Sequence, residues 1–195
     1  MAKPNVSNKD SLIQAAKTCI ARDGLENFTL KTVADEGGVS QGTVYYHFRT
    51  KEQLLLEVVK ELCESSWEGL VAQEELIIKE ALASAKSRCA FDSFYHRLYF
   101  TLLSSSLHNQ RIREQLKEIL RKENEVLSLQ VESIWTVSPV NGVSTQTWGI
   151  VLNSIIDGIA MQALLDEEFP VDQVYAELEL IIEGLTQFAK GEQAT

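Results

Sequence analysis

The sequence predicts an all-α protein of about nine helices, a three-helix head followed by a longer helical body. Three observations lead there. Apolar residues recur at three-to-four spacing through most of the chain, without the alternation that marks strands. Only three prolines and ten glycines interrupt 195 residues, so long helices are permitted. Near the N-terminus, two short helical patterns stand close together around Gly37-Gly38.

Each element has its own signals. The first helix runs from about Ser7 or Asn8, either of which can cap it, to Arg22. Its buried face is Leu12, Ala15, Ala16, Cys19 and Ile20, and Gly24 ends it. Thr29 caps a second helix, Leu30 to Glu36, which buries Leu30, Val33 and Ala34. Gly37-Gly38 makes the turn and Val39 plugs the core. Ser40 caps a third helix that buries Val44 and Phe48. A fourth begins near Thr50 and carries Leu54, Leu55, Val58, Val59 and Leu62 toward Trp67. Further helical segments follow near 74–87, 91–105 and 110–135. Ser138-Pro139-Val140-Asn141-Gly142 is the clearest loop. Two apolar-rich helices, about 145–166 and 171–189, close the chain.

Composition narrows the function classes. Hydrophobic residues make up 45% and charged residues 24%, which suits a globular protein with a real core. No apolar run approaches the span of a bilayer, and Met1-Ala2-Lys3-Pro4-Asn5-Val6 lacks an apolar signal core, so a cytoplasmic protein without a membrane partner is expected. Cys19, Cys63 and Cys89 are odd in number and widely spaced, unlike a disulfide framework or a zinc site, and read as three small buried or half-buried thiols. The net charge of −10 argues at first against a nucleic-acid binder, but its distribution reverses that. Residues 1–51 carry +2 and residues 52–195 carry −12, a faintly basic head on an acidic body that phosphate repels.

The segment Ser40-Gln41-Gly42-Thr43-Val44-Tyr45-Tyr46-His47-Phe48-Arg49-Thr50-Lys51 gathers polar, aromatic and basic groups on one short helix behind another. Two such helices joined by a tight turn lay the second in the DNA major groove. Together with Thr29-Leu30-Lys31-Thr32-Val33-Ala34, Gly38-Val39 and Lys51-Glu52-Gln53-Leu54, the string resembles the TetR-type (TetR/AcrR) family of bacterial transcriptional regulators over roughly residues 8–60. One departure is Gly37, where that family usually has Ala; glycine there costs about 0.5–1 kcal/mol of helix propensity.

The resemblance implies a helix-turn-helix DNA-binding domain at 1–50 and an effector-binding and dimerisation domain at 51–195. It also implies a ligand-responsive homodimeric repressor on a palindromic operator. Gln41 and Gly42 would approach base edges, since Gln donates and accepts together and Gly admits a close base or methyl. Thr43 and Tyr45 share their outward face. Thr29, Ser40, Tyr46, His47 and Lys51 match the family's phosphate contacts, and Thr29 and Ser40 would cap their helices as well. Either tyrosine of Tyr45-Tyr46 is open to a packing role instead.

The last two helices are apolar over more than one stripe and so face two partners. Val151, Ile155, Ile159, Leu178, Ile181, Ile182, Leu185 and Phe188 are the candidate seam with a second copy; a thick monomer core is the alternative. Trp67, Phe94, Tyr95, Tyr99, Trp135 and Trp148 are candidates to line a pocket for an unknown small-molecule effector. Arg97, His96, His108 and Gln130 are the polar groups available to orient it. Aromatics at helical spacing are also ordinary core. No G-x-S-x-G, H-E-x-x-H or P-loop occurs, and His47, His96 and His108 are scattered, so neither an enzyme, a cofactor nor a metal is expected. A helical adaptor that has lost DNA binding is the remaining rival.

Overall fold

The structure, a computed structural model, describes residues 9–71 and 78–192, with side chains over 9–64 and 79–190. Among the described residues there are nine helices and no strand. They are α1 (Lys9–Asp23), α2 (Leu30–Glu36), α3 (Gln41–Phe48), α4 (Lys51–Val71), α5 (Ile78–Lys86), α6 (Phe94–Ser106), α7 (Gln110–Ile134), α8 (Thr145–Leu165) and α9 (Val171–Glu192). The proposed caps Ser7 and Asn8, and the side chain of Trp67, lie outside the described residues. Two compact units partition the chain, one of residues 1–62 and 98–117, the other of 63–97 and 118–195. The division falls inside α4, α6 and α7, so three continuous helices carry the chain from one unit to the other.

In the first unit, α2 packs against both α1 and α3. Leu12, Ala16, Cys19, Phe28, Val33, Val44, Phe48, Leu54 and Val58 are buried together in its core. Helices of seven and eight residues are not stable alone, so burial and capping must hold α2 and α3. Fully burying Phe48 contributes roughly 1.5–3 kcal/mol. Gly24 at φ 75° and Gly38 at φ 63° make the two bends that bring these helices together, conformations that side chains with a Cβ resist. Val39, expected inside, is only half-buried, because Gly38 turns the chain outward before Ser40 starts α3.

The second unit centres on Leu82, Ala85, Cys89, Val131, Trp135, Ile159, Tyr175, Leu178 and Ile182. Two of its polar contacts join separate helices: Trp135 Nε1 donates to Thr186 Oγ1 at 2.8 Å, and Asn153 Nδ2 donates to Asn124 Oδ1 at 3.0 Å. All three cysteines are free and buried, and Cys89 Sγ lies 3.0 Å from the Tyr175 hydroxyl.

Two differences from the sequence reading have clear causes. The helix expected from residue 91 starts at Phe94, because residues 90–93 form a turn, with Ser93 N–H bonded to Ala90 O at 2.9 Å. Contrary to the absence of a bilayer-length apolar run, α8 is long and apolar enough to cross a membrane by composition, with mean hydropathy 1.4 over its most apolar window. That composition follows from two apolar sides, one in the unit's core and one outward.

Candidate nucleic-acid interface and cavity

The geometry of α3 starts with its cap. Ser40 Oγ accepts from the Thr43 N–H at 3.2 Å, and Val44 and Phe48, both fully buried, fix the helix's rotation. The opposite face therefore points to solvent. Gln41 and Gly42 are exposed at its N-terminal end, Thr43 is half-buried, and Tyr45 and Tyr46 are 52% and 70% exposed. His47 is half-buried, edge-on to Tyr46 at 5.3 Å between ring centres. Thr29 begins α2 in a capping box: its Oγ1 accepts from the Thr32 N–H at 3.1 Å while Thr32 Oγ1 accepts from the Thr29 N–H at 3.0 Å. Lys51 is tied inward, its Nζ donating to Leu25 O at 2.8 Å and lying 5.6 Å from the Phe28 ring centre.

Ion pairing explains how a faintly basic head concentrates its charge. Lys9 pairs with Glu57 at 2.8 Å, Lys17 with Glu61 at 2.8 Å, and Arg22 with Asp23 at 2.8 Å and Glu36 at 2.7 Å. Lys31, Arg49 and Lys51 have no carboxylate in ion-pair range among the described residues. These three sit on α2 and at the α3–α4 turn, beside the recognition face. Sequence reasoning missed Lys31 and Arg49. Arg49 holds a positive φ of 64°, unusual for a residue with a side chain, and its guanidinium lies 5.4 Å from the Tyr45 ring centre and 5.9 Å from that of Tyr46.

Within the second unit lies a cavity of about 720 Å³, part of it open to solvent. Its wall is mainly apolar, with Leu127, Val131, Ile134, Trp135, Leu152 and Ile156 on it, and Ser84, Arg88 and Gln130 supply its polar groups. Of the aromatics expected at a pocket, Trp135 is on this wall and Trp148 stands edge-on behind it at 5.0 Å. Phe94, Tyr95 and Tyr99 are not on it. Tyr99 is buried and belongs to the first unit, and Phe94 is half-buried on α6. Tyr95 donates its hydroxyl proton to Glu123 Oε1 at 2.8 Å, beside Cys63 Sγ at 3.3 Å. Of the polar candidates, Gln130 reaches the wall, His96 is buried elsewhere, and Arg97 and His108 are exposed.

Burial sets the electrostatics of that polar cluster. It raises the Glu123 carboxyl above the ordinary range and pushes the Cys63 thiol up to about 12, so the thiol is unreactive. Burial, then the nearby charge of Glu123, lifts Asp157 to about 7. His96 is lowered to about 4 by burial and is neutral, its Nδ1 2.9 Å from the Arg88 carbonyl oxygen. Among the described residues no group of three His, Cys, Asp or Glu is placed to hold a metal ion.

The candidate seam sorts into two sets. Ile159, Leu178 and Ile182 are buried in the second unit's own core, with Leu185 half-buried against it. They are one helical step away from the outward side. Val151, Ile155, Ile181 and Phe188 are exposed, and so are Ile150, Met161, Leu165 and Leu180, which the sequence reading did not select for the seam.

A family model described as "Bacterial regulatory proteins, tetR family" matches residues 12–58, the segment that builds this interface. The fatty acid metabolism regulator protein of Bacillus subtilis is 31% identical over 150 residues, 76% of this chain and 71% of that protein. The chain belongs to the TetR family of bacterial regulatory proteins. It is therefore a DNA-binding transcriptional regulator. Likeness to a second relative, the HTH-type transcriptional repressor KstR2 of Mycolicibacterium smegmatis, is more local: 40% identity over 55 residues, spanning 28% of this chain and 27% of the relative. Among solved structures, a transcriptional regulator of Saccharomonospora viridis in complex with choline has a similar fold. Its TM-score is 0.69 at 20% identity, over 90% of this chain and 95% of that one.

Proposed function

We propose that the chain is a homodimeric repressor whose residues 1–50 bind a near-palindromic operator and whose residues 51–195 dimerise and receive a small-molecule effector. The observation that carries this is the outward face of α3, with Gln41, Gly42, Tyr45 and Tyr46 exposed beside Lys31, Arg49 and Lys51, which no carboxylate neutralises. Gln41, Gly42, Thr43 and Tyr45 read bases, while Thr29, Ser40, Tyr46, His47 and Lys51 contact phosphate. The Lys51 ammonium keeps its hold on Leu25 O, so it acts from a fixed position. The protein works in the cytoplasm by binding, without catalysis, cofactor or membrane.

Ligand response is supported by the second unit's cavity and by two similar proteins, the fatty acid metabolism regulator protein of Bacillus subtilis and the Saccharomonospora viridis regulator solved with choline. Effector binding would reposition α4, the continuous helix leading back to the heads, and spoil their groove spacing. Clean switching needs a preference for the released form of several kcal/mol, about 5 for a hundredfold swing each way.

The test is a gel shift on operator fragments selected from genomic DNA, at two salt concentrations. Specific binding should weaken steeply with salt, and Gln41→Ala or Tyr45→Ala should cost about tenfold or more while leaving the fold and dimer intact. An adaptor without DNA binding would show no shifted band at either salt.

A further inference from the structure

We infer that the second unit's cavity selects an apolar molecule ending in a hydrogen-bond acceptor, a carbonyl or carboxylate, and that Gln130 is the residue that selects it. This rests on the reading of that half as effector-binding and names the effector's chemistry.

The first observation is an unsatisfied donor. Gln130 sits on the cavity wall, and its Nε2 is buried with no hydrogen-bond partner. A buried amide N–H without an acceptor bears its full desolvation penalty, so evolution rarely leaves one without a reason. Beside Gln130 the polar groups of the wall are Ser84 and Arg88, and the rest of it is apolar, with Leu127, Val131, Ile134, Leu152 and Ile156 among its side chains. A ligand oxygen arriving at Gln130 would satisfy the amide and leave the rest of the molecule against those aliphatic side chains.

The second observation is the sign of the wall. Arg88 is the charged residue on it, and no carboxylate is. Glu123 and Asp157, the buried acids of this unit, are not part of the lining, and Glu123 Oε1 already accepts from Tyr95 at 2.8 Å. A cationic head would meet Arg88 and an amide N–H with nothing to pair with. A carbonyl or carboxylate meets the Gln130 N–H beside a positive charge.

Trp135 on the wall, edge-on to Trp148, provides an intrinsic fluorescence signal for occupancy. The full-length protein is titrated with decanoate, methyl nonyl ketone and nonyltrimethylammonium, which match in tail and differ in head. Decanoate and the ketone should bind at least about tenfold tighter than the cation, the size of one well-placed hydrogen bond or charge contact. Gln130→Leu should lose about that factor for both acceptor ligands while circular dichroism and operator binding stay unchanged. Gln130→Glu, which puts an acceptor where the donor was, should reverse the order of decanoate and cation. Equal binding of the cation, no binding of any probe, or full decanoate affinity in Gln130→Leu overturns the inference. The wider reading is scored separately by operator release. Decanoate that binds through Gln130 yet leaves operator binding unchanged sinks the effector role and not this one. Release by a cation sinks this one and not the effector role.

Discussion

At the scale of single residues, Gly42 separates internal from external demands on the recognition helix. A Cβ built there would meet only Ser40 Oγ, at an ordinary 3.6 Å, so nothing inside the protein requires glycine. Glycine in a helix is worse than alanine by about 0.5–1 kcal/mol, a loss with no internal return. The reason must lie outside, where a bare backbone admits a base edge or a thymine methyl. Gly42→Ala should therefore raise thermal stability by up to about 0.5–1 kcal/mol and yet weaken operator binding by about tenfold or more. A melt and a gel shift on the same preparation check both signs; an alanine variant that binds as tightly as wild type would leave the glycine without its proposed role. This face was legible in the sequence because Val44 and Phe48, four apart and apolar, fix which residues point outward. The role of Lys51 was not, since its acceptor, Leu25 O, lies 26 positions away on another loop. Nor was the sorting of basic residues into paired and unpaired, which depends on where α4 brings Glu57 and Glu61.

At the scale of elements, α8 shows what apolar periodicity can and cannot disclose. Its one charged residue is Asp157, held at about 7 by burial and by Glu123, with Arg88 opposing both. A carboxyl raised in the folded state binds its proton more tightly there than in the unfolded chain. Between roughly pH 4 and 7 the folded state holds the extra proton, so stability falls as pH rises through that window and the penalty is full above it. Asp157→Asn should accordingly be more stable than wild type at pH 8, by on the order of 1 kcal/mol or about 2–4 °C in Tm, with the gap closing near pH 4. Melts at the two pH values decide it; a constant gap would place the benefit elsewhere. The same helix carries Gly149, where a Cβ would sit 2.5 Å from Ser128 Oγ and 2.8 Å from Asn124 O, so α7 and α8 touch almost backbone to backbone. The extent of the helices was readable from spacing and, for α2 and α3, from the caps Thr29 and Ser40, whereas the Ser144 cap of α8 emerged only in the structure. Which apolar positions face the cavity was not readable. Leu152 and Ile156 carry the same signature as Ile159, and only the placement of α5, α7 and α9 around them distinguishes a cavity wall from filled core.

At the scale of the whole molecule, the outward faces of α8 and α9 and the small charge of the head point to one answer. Leu180 is 66% exposed, Ile181 59% and Phe188 57% on α9, with Ile150, Val151, Ile155, Met161 and Leu165 exposed on α8, an apolar expanse that a solitary chain would leave wet. In the proposed dimer, a second copy of the same pair of helices would cover it in an isologous four-helix seam. On that proposal the head gains from the second copy. Three unneutralised cations per head predict a salt slope of only about −3 in log K against log salt, whereas two heads joined give about −5 to −6. Joining also raises affinity by about a hundredfold or more if the spacing matches successive major grooves, about 34–36 Å apart. Ile181→Glu combined with Phe188→Glu puts like charges against each other across the seam without touching Ile182, Leu178 or the core beneath. The variant should sediment as a monomer, keep its helicity, lose at least about a hundredfold in operator affinity, and show its salt slope cut by half. A variant that stays dimeric would move the seam off α9. One that becomes monomeric but keeps full affinity and slope would mean that a single head suffices, and the twofold operator would have to be given up.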